Sequence, residues 1–246
     1  DELIRHSVTK LSNIHFVSND EAAKRLLQMG EIKSSIFTIG SPDIDIMFSE
    51  NLPTEESVKE YYQIDFDQYA IVMFHPVTTE DKQMKQYADD FVASLLAVEE
   101  NFVVIYPNND LGSRYIIEAF QKLKDNPKFR IFPSIRFEYF LVLLKNAKFI
   151  IGNSSAGIRE APYYGIPIIN IGTRQQNRTL NADIINVDYQ KENIIKALHS
   201  VTNHKISPTA NDFGKGNSAE LFLNSLLSSK IWEINHQKKF KNIDFD

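Results

Sequence analysis

An α/β fold built on a doubly wound, mostly parallel sheet, Rossmann-like in plan, is what this sequence predicts. Two observations carry that expectation. Short apolar runs rich in Ile, Val and Phe recur along the chain, and longer stretches with helical spacing separate them. The runs are apolar at nearly every position, as in strands that helices cover on both faces.

The expected strands are Ile14–Val17, Ser35–Ile39, Tyr69–Phe74, Phe102–Tyr106, Phe129–Phe132, Phe149–Ile151, Ile166–Ile171 and Asp183–Val187. Between them fall helices with recognisable ends. Asp20 is placed to cap Glu21–Met29, which Gly30 stops. Thr79 is placed to cap Glu80–Glu99, and Ser113 to cap Arg114–Lys124. Ile135–Asn146, Ala156–Tyr164, Tyr189–Val201 and Ser218–Leu227 show the same period, the second of them ending at Gly165-Ile166-Pro167.

A boundary is expected near Gly40-Ser41-Pro42. Residues 1–43 hold helix, strand, helix and strand, too little to close a core, and read as the end of one domain. Residues 44–246 hold six strands with helices between them, a complete doubly wound domain, with a polar tail after Trp232. The sequence opens without Met inside a helical pattern, which reads as a fragment of a longer protein.

Composition narrows the function classes. The chain has 246 residues, 43% of them apolar, and a net charge of −5. Long-range attraction to nucleic acid or anionic membrane is not expected of it, so an anionic ligand has to be held by local groups. The absence of cysteine excludes disulfides and thiolate metal sites and fits a cytoplasmic location. No apolar run approaches the roughly 20 residues that span a bilayer, and Asp1–His6 has neither the basic start nor the apolar core of a secretory signal.

The richest stretch is FIIGNSSAGIREAPYYGIPIINIGTRQQNR, residues 149–178. An apolar strand ends at Gly152, and Asn153, Ser154, Ser155 and Gly157 turn it into a helix. Exposed N–H groups at a helix start attract anions, and two hydroxyls add donors. The same residues also make an ordinary helix cap, and both readings stand on local chemistry. Glu160 suits either two vicinal ribose hydroxyls or a solvated helix face.

Other strand ends contribute polar groups. His75, in FHPVTT, is placed to donate to a phosphate or transfer a proton, or simply to occupy a strand-end turn. Asn108 lies in the turn YPNNDLGS. Phe137 and Phe140 offer a ring for a base face or for the core. Arg174 and Arg178 follow the strand ending at Gly172 and suit phosphate neutralisation. The convergence of His75, Asn108, Ser154, Ser155 and Arg174 at strand ends is more informative than any one of them.

The stretch GNSSAGIREAPYYGIPIINIGTRQ, with HPVTT and PNND before it and IRHSVTKLSNIHFVSN at the start, resembles the hydrolysing UDP-N-acetylglucosamine 2-epimerases of sialic acid biosynthesis. The resemblance runs from residue 1 to about 225. The HPVTT form looks like the hydrolysing branch. It implies the C-terminal half of a two-domain, glycosyltransferase-B-like fold, with 44–246 as the UDP-binding domain. It implies that Ser154 and Ser155 bind the diphosphate, that Glu160 binds the ribose and that Phe140 lies beside the uracil. His75, Asn108 and Arg174 would line the UDP site, with His75 catalytic. It implies a UDP-sugar substrate, no metal or redox cofactor, and a homodimer or homotetramer. The family's first domain is longer than residues 1–43 and carries the carboxylates that move the sugar proton. A glycosyltransferase of the same fold, or a UDP-binding module without catalysis, would present similar residues.

Overall fold

The computed structural model describes residues 2–175, 184–201 and 213–242. In chain order the elements are α1 (Glu2–Leu11), β1 (His15–Val17), α2 (Asp20–Gln28), β2 (Ile36–Thr38), α3 (Pro42–Met47), α4 (Glu55–Tyr62), β3 (Ala70–Met73), α5 (Asp81–Leu96), β4 (Phe102–Ile105) and α6 (Ser113–Phe120). They continue with β5 (Phe129–Phe132), α7 (Phe137–Lys145), β6 (Ile150–Gly152), α8 (Ala156–Arg159), α9 (Ala161–Tyr164), β7 (Ile168–Ile171), β8 (Ile184–Val187), α10 (Lys191–Val201), α11 (Ser218–Leu227) and α12 (Ser229–Trp232). The last expected strand began at Asp183, which lies outside the described residues; Ile184–Val187 is the strand observed.

Two compact units form. One comprises Asp1–Glu50 with Ala210–Asp246, the other Asn51–Thr209. A single cut near residue 43 therefore differs from this division, because the C-terminal helices join the N-terminal residues. The reason is local. Ser41 N–H donates to the Phe213 carbonyl (2.7 Å), and the Asp45 carboxylate accepts from Ser218 N–H, Ser218 Oγ and Ala219 N–H, each at 2.9 Å. An acidic side chain thus caps the first turn of α11 from α3, satisfying amide donors that a helix start leaves open. In this unit β1 and β2 pair in parallel, with His15 opposite Ile36. Among its buried polar residues is Glu31, 2% exposed. The Glu31 carboxylate takes Lys10 (3.0 Å), His15 Nε2 (3.0 Å) and Lys238 (2.7 Å).

The second unit is a six-stranded parallel sheet ordered β5-β4-β3-β6-β7-β8. Ala70, Val72 and Phe74 join a core with Met84, Phe91, Leu95, Ile116, Phe120 and Ile194, from α5, α6 and α10. Ile71, buried completely, belongs to the alternate set, on the face that carries α4, α7, α8 and α9. Burial on both faces explains why these strands read as unbroken apolar runs. Each fully buried Phe, Ile or Leu contributes about 1.5–3 kcal/mol.

Three helices lie outside the sequence expectation, the four-residue α12 and two others. α3 has six residues and starts with Pro42 in its first turn; α4 has Thr54 as its cap, accepting from Ser57 N–H. Both bury too few residues, two in α3 and one in α4, to mark an apolar face. Caps also shift by a residue or two. Asn19, not Asp20, caps α2 through Ala22 N–H, and a 3-10 turn, Thr78–Glu80, precedes α5. Gly112, not Ser113, is the cap position of α6.

Candidate functional site

The strand order reverses between β3 and β6. From β3 the chain winds outward to β4 and β5, returns to β6 beside β3, and continues to β7 and β8. Crevices beyond the carboxyl ends of parallel strands at such a reversal are where ligands bind in open α/β sheets. Here those ends are Met73 and Gly152, which pair directly. Gly152 has φ +137°, and a Cβ on it would run into the Met73 carbonyl. Glycine is therefore required for the two strands to meet at this point.

Asn153 follows, 1% exposed, and locks the two strand ends together. Its Oδ1 accepts from His75 N–H (2.7 Å), its Nδ2 donates to the His75 carbonyl (2.8 Å), and its own N–H donates to the Met73 carbonyl (3.0 Å). Its carbonyl accepts from Arg174 Nη1 (3.1 Å) and Gln175 Nε2 (2.8 Å). One residue thereby joins the ends of β3, β6 and β7, its side chain holding His75 and its backbone carbonyl holding Arg174 and Gln175.

His75 Nδ1 accepts from Asn108 N–H at 3.2 Å. The neutral ring then carries its proton on Nε2, as a donor. Burial, and next the Arg174 guanidinium, push its pKa down to about 4, so the ring is neutral at neutral pH. It can donate a hydrogen bond there but is a weak base. The Asn108 side chain donates to Asp110 (2.5 Å), so it is the Asn108 backbone that orients His75.

Between the ends of β3, β4, β5 and β6 lies a cavity of about 420 Å³. Asn108, Phe140, Ser154, Ser155 and Glu160 line it, with Pro133, Ile135 and Phe137 on the apolar side. Ser154 Oγ accepts from Ala156 N–H (3.3 Å), while the Ser154 and Ser155 N–H groups have no intramolecular acceptor among the described residues. Two amides and two hydroxyls at one corner are a donor set suited to an anion.

Of the seven site residues expected from sequence, five line this cavity. His75 and Arg174 flank it through Asn153. Arg178 lies outside the described residues. The helix expected over 156–164 is in fact two, α8 and α9, broken at Glu160. Pro162 explains the break, since it has no N–H and its ring clashes with a helical carbonyl four residues back. Donors at the 154–155 corner are therefore individual groups more than the end of a long dipole. The break also turns Glu160, 7% exposed, toward the cavity lining. Sequence reasoning treated Asn153 as a turn residue and passed over Gln175. Their roles depend on partners 78 and 22 positions away, beyond any local pattern.

Known proteins place this architecture. A family model described as UDP-N-acetylglucosamine 2-epimerase matches residues 1–227. The UDP-N-acetylglucosamine 2-epimerase of Neisseria meningitidis serogroup B is 48% identical over 247 residues, covering 99% of this chain and 65% of that protein. The UDP-N,N'-diacetylbacillosamine 2-epimerase (hydrolyzing) of Legionella pneumophila is 31% identical over 221 residues, covering 89% of this chain and 59% of that one. The chain thus spans about 65% or less of the length of these relatives. In fold it matches the Methanocaldococcus jannaschii UDP-GlcNAc 2-epimerase solved with UDP-GlcNAc and UDP, at TM-score 0.71 and 24% identity over 88% of this chain and 61% of that one. Among the described residues no helix is long and apolar enough to cross a membrane. A family match over residues 1–227, on a sheet that reverses at Gly152-Asn153, makes this chain a member of the UDP-N-acetylglucosamine 2-epimerase family.

Proposed function

We propose that the whole protein hydrolyses UDP-N-acetylglucosamine to N-acetylmannosamine and UDP, with this chain supplying the UDP grip. The observation that carries the reading is the Ser154–Ser155 corner, which opens onto the cavity beside Phe140 and Glu160. A diphosphate at that corner takes hydrogen bonds from the amides and hydroxyls. The uracil lies toward Phe140 and the ribose hydroxyls donate to Glu160. Arg174 and the neutral His75 flank the phosphate side. The relatives' substrates, UDP-N-acetylglucosamine and UDP-N,N'-diacetylbacillosamine, share the UDP part that these residues would read.

The reaction needs two steps. A base takes the proton from sugar C2, the C–H electrons form a C1–C2 double bond, and the C1–O bond breaks to release UDP. Water then adds, hydroxyl to C1 and proton to C2 on the opposite face. A C2–H is not acidic, so loss of the diphosphate must drive the first step. Donors already fixed at Ser154 and Ser155 stabilise the charge growing on the leaving phosphate, a preorganised electrostatic effect. His75 Nε2–H adds a donor without delivering a formal charge. The base for C2 belongs to the first domain by resemblance. HPVTT supports hydrolytic chemistry over return of UDP to the sugar, and a homo-oligomer and a role in sialic acid synthesis follow from the same resemblance.

Full-length protein incubated with UDP-GlcNAc in D2O, without acceptor, tests this by NMR. Free N-acetylmannosamine with one deuterium at C2, and UDP in equal amount, are expected. UDP-ManNAc with the sugar still attached would point to non-hydrolytic epimerisation, and an inert substrate to a transferase or a binding module.

A further inference from the structure

We propose that Glu80 is a positioning residue, whose carboxylate fastens the loop carrying Arg174 to the segment carrying His75. The inference rests on the reading of His75 and Arg174 as diphosphate-side groups. Thr173 Oγ1 donates to Glu80 Oε1 at 2.5 Å, and Tyr189 OH donates to Glu80 Oε2 at 2.7 Å. Glu80 closes the 3-10 turn Thr78–Glu80, a short way along the chain from His75. Thr173 immediately precedes Arg174.

The anchor at the far side is rigid. The Tyr189 ring stacks on Tyr87 with centroids 3.8 Å apart and planes 6° apart, and stands edge-on to Phe74 at 6.3 Å. It also fills the space over Gly172, where any Cβ would overlap the ring. Gly172 has φ +70° and donates its N–H to the Val187 carbonyl at 2.8 Å. Burial, then the hydrogen bond to Glu80, raise the Tyr189 hydroxyl above its ordinary pKa, keeping it a donor.

These contacts close a circuit. Asn153 holds the His75 backbone, Arg174 and Gln175 hold the Asn153 carbonyl, Thr173 holds Glu80, and the chain returns from Glu80 to His75. Glu80 is not among the residues that line the cavity, so removing it opens the circuit without changing the lining itself. The loss should therefore fall on the diphosphate and spare the nucleoside.

The test measures UDP affinity by calorimetry and uridine affinity by NMR titration on full-length protein. Glu80→Ala is expected to weaken UDP about tenfold, as loss of orientation in one charge-assisted contact would, while uridine stays within about twofold. Glu80→Gln can still join the two hydroxyls and is expected to restore UDP affinity to within about threefold. Unchanged UDP affinity in Glu80→Ala, equal loss for both ligands, or a Glu80→Gln as weak as Glu80→Ala would each overturn the proposal. Should Glu80→Ala fail to fold, Tyr189→Phe replaces it: the ring stack is kept, and loss for UDP alone supports the proposal while no loss overturns it. Arg174→Ala run alongside separates the two readings. If that change leaves UDP affinity intact, the diphosphate assignment of Arg174 fails whatever Glu80 does.

Discussion

Of the buried polar residues, Glu31 in the first unit and Asn153 in the second are nodes built from opposite materials. Glu31 in the first unit is a charge held by three basic side chains, Lys10, His15 and Lys238. Asn153 in the second is a neutral amide held almost entirely by backbone groups and by Arg174 and Gln175. The Glu31 node uses its cations to neutralise itself. The Asn153 node carries no charge of its own, and the Arg174 guanidinium beside it adds to burial in lowering the pKa of His75. A charged cluster can fasten a fold by neutralising itself, whereas a neutral clamp fastens it without adding a charge.

The sharpest way to break the second node is through the backbone beneath it. Gly152→Ala sets a methyl against the Met73 carbonyl in a conformation that L-residues avoid, and about 4 kcal/mol of stability should be lost in urea unfolding. Asn153→Ala comes next. It strips both His75 backbone groups of their partner in a buried place, and about 3 kcal/mol is expected. Glu31→Ala should cost less, about 2 kcal/mol. Two of its partners, Lys10 and Lys238, are 52% and 28% exposed and turn to water. The two changes at the Asn153 node, unlike Glu31→Ala, should also weaken UDP binding, measured by calorimetry. Equal effects on UDP would erase the distinction between the nodes.

Much of this fold was legible in the sequence because the sheet is covered on both sides. Short, nearly apolar runs such as Phe102–Ile105 and Ile168–Ile171, rich in Ile, Val and Phe and too short for a helix, fit a strand covered on both faces. Of the segments that escaped, Pro42–Met47 and Glu55–Tyr62 bury only two residues and one. Their apolar pattern is too thin to show a period. At the site, Ser154, Ser155 and Glu160 drew notice because they stand where a strand ends, and strand ends are visible locally. Asn153 is visible there only as a turn residue; its clamping role is not, since its partner His75 is 78 positions away. Pro162 was visible, yet the long apolar period around it favoured one helix where the backbone makes two.

Acid should separate the nodes in two windows. His75 has a folded pKa near 4 against an ordinary 6.5. Between those values the unfolded chain binds a proton that the folded chain refuses, so stability falls as pH drops from 6.5 toward 4 and levels off below. Glu31 acts in the same direction but in a lower window. Burial alone would raise its pKa, but hydrogen bonds from Lys238, Lys10 and His15 outweigh that and hold it below 4.5. Its contribution is complete above about 4.5 and is lost as pH falls through the folded value. Urea midpoints from pH 7.5 to 3 should decline in two stages. His75→Asn should flatten the upper stage by about 1–2 kcal/mol, and Glu31→Gln should flatten the lower. A decline that neither variant alters would assign the acid sensitivity elsewhere.

The smallest effect divides the cavity itself. Ser155 lies on its polar side and Phe140, 6% exposed, on its apolar side. Ser155→Ala removes one neutral donor to a phosphate and should weaken UDP by about 0.5–1.5 kcal/mol, toward the upper end if the bond is charge-assisted. Uridine, with no phosphate to meet that donor, should bind as before. Phe140→Leu keeps the volume nearly constant and costs under about 1.5 kcal/mol of stability, but it removes a flat ring from the base side, so UDP and uridine should weaken together. Calorimetry on the two ligands and two variants gives a four-way comparison in which only Ser155 discriminates between ligands. A Ser155→Ala that weakens both equally would place the nucleoside, not the diphosphate, at the Ser154–Ser155 corner. The cavity would then have to be read in the reverse direction.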